Sequence, residues 1–248
     1  IAAGLALCGK MPYINSFAVF VSGRAFDQIR GSICIPNINV RIAGSSCGLS
    51  DYADGKTHQS LEDMAIMRSL PNMTVLCPMD SVEIEKMMES LEHWKGPAYI
   101  RINRNELPIL YPEEDEYHIG KILQLRDGSD VALFACGSMV KRSLDAAEKL
   151  ASEGIQARVL NVSTLKPLDR EAVIKFSSGT KAIVTAEEHT IYGGLGSAIA
   201  EALRSERHAP IDFIGIDNKF GRSARNYEEI LKEYGLTAEE IVKTIHRL

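Results

Sequence analysis

Short apolar runs rich in β-branched residues alternate with stretches of helical period along most of the chain. In the second half, residues 131–136, 157–162, 182–186 and 211–216 predict strands. Between them, residues 139–152 (stopped by Gly154), a stretch from Asp169, residues 197–203 and a stretch from Tyr227 predict helices. The first hundred residues follow the same rhythm less regularly, with strands over 40–43, 74–77 and 98–102 and a helix over 80–93. Asp80 followed by Glu83 is a capping pair, and Ser60 followed by Asp63 predicts a second helix start in the same style. Residues 1–7, apolar and without a cap, read as the middle of a buried helix whose beginning lies upstream. Repeated strand-helix units predict an α/β protein of two domains, each a mostly parallel sheet with helices on both faces. The rhythm stops between Asn105 and Gly120, where Pro108, Pro112 and the acidic run Glu113-Glu114-Asp115-Glu116 predict an exposed connection. The expected organisation is therefore a first domain over 1–105, a linker over 106–119 and a second domain over 120–248.

Composition narrows the class. Over 248 residues, 45% hydrophobic and 25% charged residues are those of a globular protein with a sizeable core. The net charge of −5, with no stripe of Lys and Arg, argues against nucleic acid as a partner. No apolar segment approaches the length needed to span a bilayer, so no membrane partner is expected. The five cysteines, Cys8, Cys34, Cys47, Cys77 and Cys136, are odd in number, widely spaced and without a C-x-x-C pair or a His at ligand spacing. They predict neither a disulfide framework nor a metal site, and fit reduced thiols in a cytoplasm.

Three segments depart from what an α/β core requires. Asp54-Gly55-Lys56-Thr57-His58-Gln59 is a polar turn leading into a predicted helix. It reads either as a solvated surface loop or as a loop holding His58 for hydrogen bonding and proton transfer at a sheet edge. Phe17 and Phe20, spaced i, i+3, read either as core or as a platform for a flat heteroaromatic ring. Arg101 and Arg104 fall on opposite faces of one strand, so at most one serves a given site. The alternatives are a pair of surface salt bridges and an anion clamp made by Arg104 at the strand's C-terminal end. Gly193-Gly194-Leu195-Gly196 lacks the third glycine of a dinucleotide fingerprint, since Ile199 stands in its place.

In this order, Ser16-Phe17-Ala18-Val19-Phe20, Asp54-Gly55-Lys56-Thr57-His58-Gln59, Leu70-Pro71-Asn72-Met73, the strand ending in Arg104, Leu165-Lys166-Pro167-Leu168-Asp169, Glu187-Glu188-His189 with Gly193-Gly194-Leu195-Gly196, and Phe220-Gly221-Arg222-Ser223 resemble the transketolase family. The likeness covers nearly the whole chain and is to the C-terminal section, or subunit, of a split transketolase: the pyrimidine-binding domain and the transketolase C-terminal domain. It implies thiamine diphosphate as cofactor and transfer of a two-carbon ketol unit from a ketose phosphate to an aldose phosphate or similar anionic sugar. Phe17 and Phe20 match the aromatic wall against the cofactor pyrimidine. His58 and Asp54 match groups that hydrogen-bond substrate hydroxyls and assist proton transfer, and Arg104 matches the Arg that binds the acceptor's phosphate. The family's Mg²⁺ and diphosphate are held through a Gly-Asp-Gly motif absent from this sequence, and its pyrimidine-contacting Glu would lie before Ile1. The resemblance therefore implies an N-terminal partner subunit carrying the diphosphate and Mg²⁺ site, and a dimer of heterodimers. Ser46, where the family commonly has His, and Ala53, where Glu is usual, leave the sugar pair open. A 1-deoxyxylulose-5-phosphate synthase-like activity and a non-catalytic assembly or regulatory subunit are the competing expectations.

Overall fold

The alternation of apolar runs and amphipathic stretches produces two five-stranded sheets in the computed structural model, which describes residues 1–248. In chain order the first half contains α1 (Ala2–Leu7), β1 (Tyr13–Phe17), a π-helical turn (Phe20–Arg24), α2 (Phe26–Ile29), a second π-helical turn (Arg30–Cys34), β2 (Arg41–Ser45), α3 (Asp63–Ser69), β3 (Thr74–Leu76), α4 (Ser81–His93) and β4 (Ala98–Ile102). The second half contains β5 (Leu123–Arg126), β6 (Val131–Ala135), α5 (Met139–Ser152), β7 (Ala157–Asn161), β8 (Thr164–Lys166), α6 (Arg170–Ser177), β9 (Ala182–Thr190), α7 (Leu195–Leu203), β10 (Ile211–Ile216), α8 (Tyr227–Glu233) and α9 (Ala238–Arg247).

The first sheet runs β1-β2-β4-β3-β8 and the second β10-β9-β6-β7-β5. Within the first, β1, β2 and β4 are adjacent and parallel, with Phe17, Ser45 and Ile102 level at their C-terminal ends. Only the edge pairings β3 with β8 and β5 with β7 are antiparallel. Strand β8 comes from the second half yet closes the first sheet, so the Leu165-Lys166-Pro167 segment stitches the two halves together. Successive residues of β6 point to opposite faces, as a pleated strand requires. Val131, Leu133 and Ala135 pack with α5, α8 and α9, while Ala132 and Phe134 pack with α6 and α7. Both apolar layers continue into the first half, one through Ala98 and Ile100, the other through Val75 and Tyr99.

Four of the sequence-based expectations are corrected by the structure. Helix α1 forms, but none of its residues is buried: Ala2, Ala3 and Ala6 face the core while Leu5 and Leu7 stand in solvent. Ser60 and Asp63 do not cap a helix. The helix begins three residues later, because the Asp63 carboxylate is taken by Tyr99 and Arg101 instead. The segment 106–119 is not exposed throughout: Tyr111 and Tyr117 are buried, and Asp80 Oδ2 accepts from the Leu110 and Tyr111 N–H groups at 2.6 and 2.7 Å. Strand β9 runs four residues past the expected end: beyond Ala186 its register against β10 shifts and resumes at Thr190, and Glu187, Glu188 and His189 are buried in between. Strands β1, β5 and β8 and helix α9 form without a matching expectation from the sequence pattern.

Candidate active site

Parallel strands leave their following loops at one edge, and here three such loops converge. After β1 the chain turns through Phe20, after β2 it forms the loop 46–62, and after β4 it reaches Arg104. His58 sits at the end of a short 3-10 turn, Gly55–Thr57, and its ring stands edge-on to both phenylalanines. The His58 centroid lies 5.6 Å from Phe17 and 5.4 Å from Phe20, and the two phenyl rings are 5.8 Å apart. All three side chains are partly exposed, and the Arg24 guanidinium lies 5.0 Å over the Phe20 ring. The paired phenyl rings are therefore a half-open apolar face, and His58 brings a hydrogen-bonding edge to it. Its Nδ1 is 3.0 Å from Thr57 Oγ1.

The loop that carries His58 also lines a cavity of about 350 Å³ that contains Asp51, Asp54 and Arg104 together with Tyr52 and Asn105. The structure thus places the five candidate residues in two groups, Phe17, Phe20 and His58 in one and Asp54 and Arg104 in the other, with the loop 46–62 contributing to both. Arg101, inside β4, is not a surface residue, whereas Arg104 follows the end of that strand. It is buried, pairs with Asp63 at 2.9 Å and donates to the Glu188 carbonyl at 2.8 Å.

Side chains that residue type alone does not single out hold the 54–59 turn in place. Gly55 has φ +75°, and a Cβ there would meet Ser223 Oγ at 2.5 Å, so both the backbone and the space require glycine. Gln59 Nε2 donates to the Arg222 carbonyl at 2.9 Å and to the Asp51 carbonyl at 3.2 Å, and the Ala224 N–H donates to the Tyr52 carbonyl at 2.8 Å. The Phe220-Gly221-Arg222-Ser223 segment is therefore the clamp of the turn. Its signal in the sequence is the motif itself, which carries no chemistry that would reveal its partner.

The Glu187-Glu188-His189 run also acquires roles. Glu187 accepts from the Leu195 and Gly196 N–H groups at 2.7 and 2.8 Å, so a carboxylate of the chain itself fills the N-terminus of α7. A Cβ at Gly194 would meet Glu187 Oε2 at 2.0 Å, which explains glycine there without a nucleotide. Burial pushes the Glu187 carboxyl up to about 7 and the His189 imidazole down to about 4. Glu188 accepts from the Leu49 N–H at 2.7 Å and from the hydroxyls of Ser138 and Tyr227, tying the loop after β2 to the second half.

The paired phenyl rings fit a flat heteroaromatic group. No group of three or more His, Cys, Asp or Glu side chains is gathered at ligand distance.

Comparison with known proteins gives a consistent picture. The pyrimidine-binding domain of transketolase matches residues 1–109 and the transketolase C-terminal domain matches residues 120–241. The 6-deoxy-6-sulfo-D-fructose transketolase subunit SqwH of Clostridium sp. (strain MSTE9) is 43% identical over 100% of this chain and 77% of its own length. A subunit of the apulose-4-phosphate transketolase of Phocaeicola vulgatus is 38% identical over 98% of this chain and 78% of its own. A solved structure titled as a split gene transketolase, inactive beta4 tetramer, superposes with a TM-score of 0.90 at 40% identity, over 99% of this chain and 78% of that one.

Proposed function

The chain belongs to the transketolase family, and from that premise we propose that it is the pyrimidine-binding and C-terminal subunit of a two-chain transketolase that works on anionic sugars. The observation that carries this reading is the His58 ring set edge-on to the Phe17 and Phe20 pair, on the loop that also lines the cavity holding Asp54 and Arg104. In the reaction, the bond between C2 and C3 of a ketose breaks, the two-carbon ketol unit joins the aldehyde carbon of an aldose, and the shortened donor leaves as a new aldose. Thiamine diphosphate, when bound, supplies the carbon nucleophile that carries that unit. Phe17 and Phe20 present an apolar wall to its pyrimidine. His58 and Asp54 bind sugar hydroxyls, and His58 moves a proton at the oxygen that gains or loses it. Arg104 binds the anionic end of the sugar.

The diphosphate and Mg²⁺ fall to an N-terminal partner subunit, with two such pairs forming the assembly. Relatives named as transketolase subunits, and a neighbour titled as an inactive tetramer of β chains, support that division of labour. The division of this chain into 1–105 and 120–248, joined by 106–119, belongs to the same proposal. So does a cytoplasmic location, which rests on five free cysteines, four of them buried. No helix is long and apolar enough to cross a membrane.

The test uses two variants in the reconstituted complex. Phe20→Ala should raise the thiamine diphosphate concentration needed for half-saturation by about tenfold or more, since stacking on an aromatic side chain is worth about 1–3 kcal/mol. His58→Ala should lower kcat by about a hundredfold or more with cofactor saturation unchanged. If both variants behave as wild type, the site is elsewhere.

A further inference from the structure

The proposed anion-binding residue is not free. Arg104 Nη1 lies 3.0 Å from Asp51 Oδ2, and the two side chains are unlike in setting: that of Arg104 is 50% exposed and that of Asp51 only 1%. The pair is in charge contact without hydrogen-bond alignment, so Asp51 Oδ2 is a buried carboxylate oxygen with no aligned donor. Such an oxygen is costly to keep unless a cation stays beside it. Asp51 is also held rigidly, because its carbonyl accepts from the Gly55 N–H and from Gln59 Nε2. The cavity is lined by Asp51, Asp54 and Arg104 as its charged groups, which is two carboxylates against one guanidinium. A pocket built to hold a dianion would carry the opposite balance.

We propose that Asp51 is a specificity-determining residue of this site: by engaging Arg104 it makes the cavity select sugars whose far end carries a single negative charge, such as a sulfonate, over those that end in a phosphate dianion. The proposal rests on the ketol-transfer reading and deepens it. A sugar phosphate carries a charge of about −1.5 to −2 at neutral pH, whereas a sulfonate stays at a single negative charge. Each unit of negative charge brought to Arg104 also meets Asp51 and Asp54, and like charges placed together are strongly disfavoured where water is scarce. Arg104 keeps enough free donors to hold one oxyanion group, because half of its side chain still faces the cavity and solvent.

Three donors that differ only at C6 test this in the complex of this chain with its partner: fructose 6-phosphate, 6-deoxy-6-sulfofructose and fructose, each with glycolaldehyde as acceptor and erythrulose formation as readout. In wild type, kcat/KM for the sulfonate should exceed that for the phosphate. Asp51→Asn should raise the phosphate-to-sulfonate ratio of kcat/KM by about tenfold, and Asp51→Glu, which keeps the charge, should retain the wild-type order. A wild-type preference for the phosphate overturns the proposal whether or not the variants fold, and so does an unchanged ratio in a folded Asp51→Asn. Absence of erythrulose from all three donors overturns the ketol-transfer reading and this proposal with it, whereas transfer with the wrong order overturns this proposal alone.

Discussion

At the scale of residues, the decisive groups are buried charges that the sequence does not advertise. Arg101 and Arg104 look alike three positions apart, yet one is sealed in the interior against Asp63 and the other reaches the cavity. Arg101→Met should cost about 3–5 kcal/mol of unfolding free energy, because it strands the buried Asp63 carboxylate without its cation; denaturant titration that shows a change below about 1 kcal/mol would mean the pair is not closed as described. Glu187 and His189 give the molecule an opposing pair of pH dependences. The Glu187 carboxyl, raised to about 7 by burial, contributes stability that is full below its ordinary value near 4.5 and is lost as pH rises through 7. The His189 imidazole, lowered to about 4 by burial, works in the other direction, its contribution growing as pH rises from 4 to 6.5. Replacing Glu187 by Gln removes only the first. Between pH 5 and 7.5 the wild type should therefore lose more stability than Glu187→Gln, and parallel stability curves would contradict this assignment. His58, Phe17, Phe20, Asp54 and Arg104 are legible as candidates from motif and residue type. Asp51 is not, because nothing in its neighbourhood says that the loop after β4 will deliver Arg104 to it.

At the scale of elements, local patterning locates most strands and helices and fails where a tertiary partner decides the outcome. Helix α5 and strands β4 and β10 begin and end where period and punctuation place them. Asp80 caps α4 as its spacing with Glu83 foretells, accepting from the Glu83 N–H at 2.8 Å. Its second oxygen, however, binds two N–H groups of the segment 106–119, a role that no local pattern encodes. Asp80→Ala should cost about 2–4 kcal/mol, more than a helix cap alone, because it also leaves two backbone donors unpaired. Hydrogen exchange should show faster exchange at Leu110 and Tyr111; protection there as in wild type would show that the tether is not needed. Strand β8 is hidden for a similar reason. Three residues carry no readable period, and they pair with a strand almost 90 positions earlier.

At the scale of the whole molecule, the two halves are not independent modules. The second half lends β8 to the first sheet, clamps the 54–59 turn through Arg222 and Ser223, and supplies Glu188 to the loop after β2. The α/β class and the two sheets are legible from alternation alone, whereas this interlocking is not, since it depends on side-chain contacts between distant positions. Under the proposed function the second half shapes the site through these contacts, and the chemistry is assigned to residues of the first half. The proposed site offers a wall for a flat ring and a binding place for a sugar, and the proposed function assigns the metal-bound diphosphate to the partner chain. The most direct measurement is ketol transfer by this chain mixed with a diphosphate-binding transketolase chain, thiamine diphosphate and Mg²⁺, with each chain alone as control. Erythrulose should form from a ketose donor and glycolaldehyde only in the mixture. Equal activity from this chain alone, or none in a mixture that forms a stable complex and binds the cofactor, would contradict the two-chain reading.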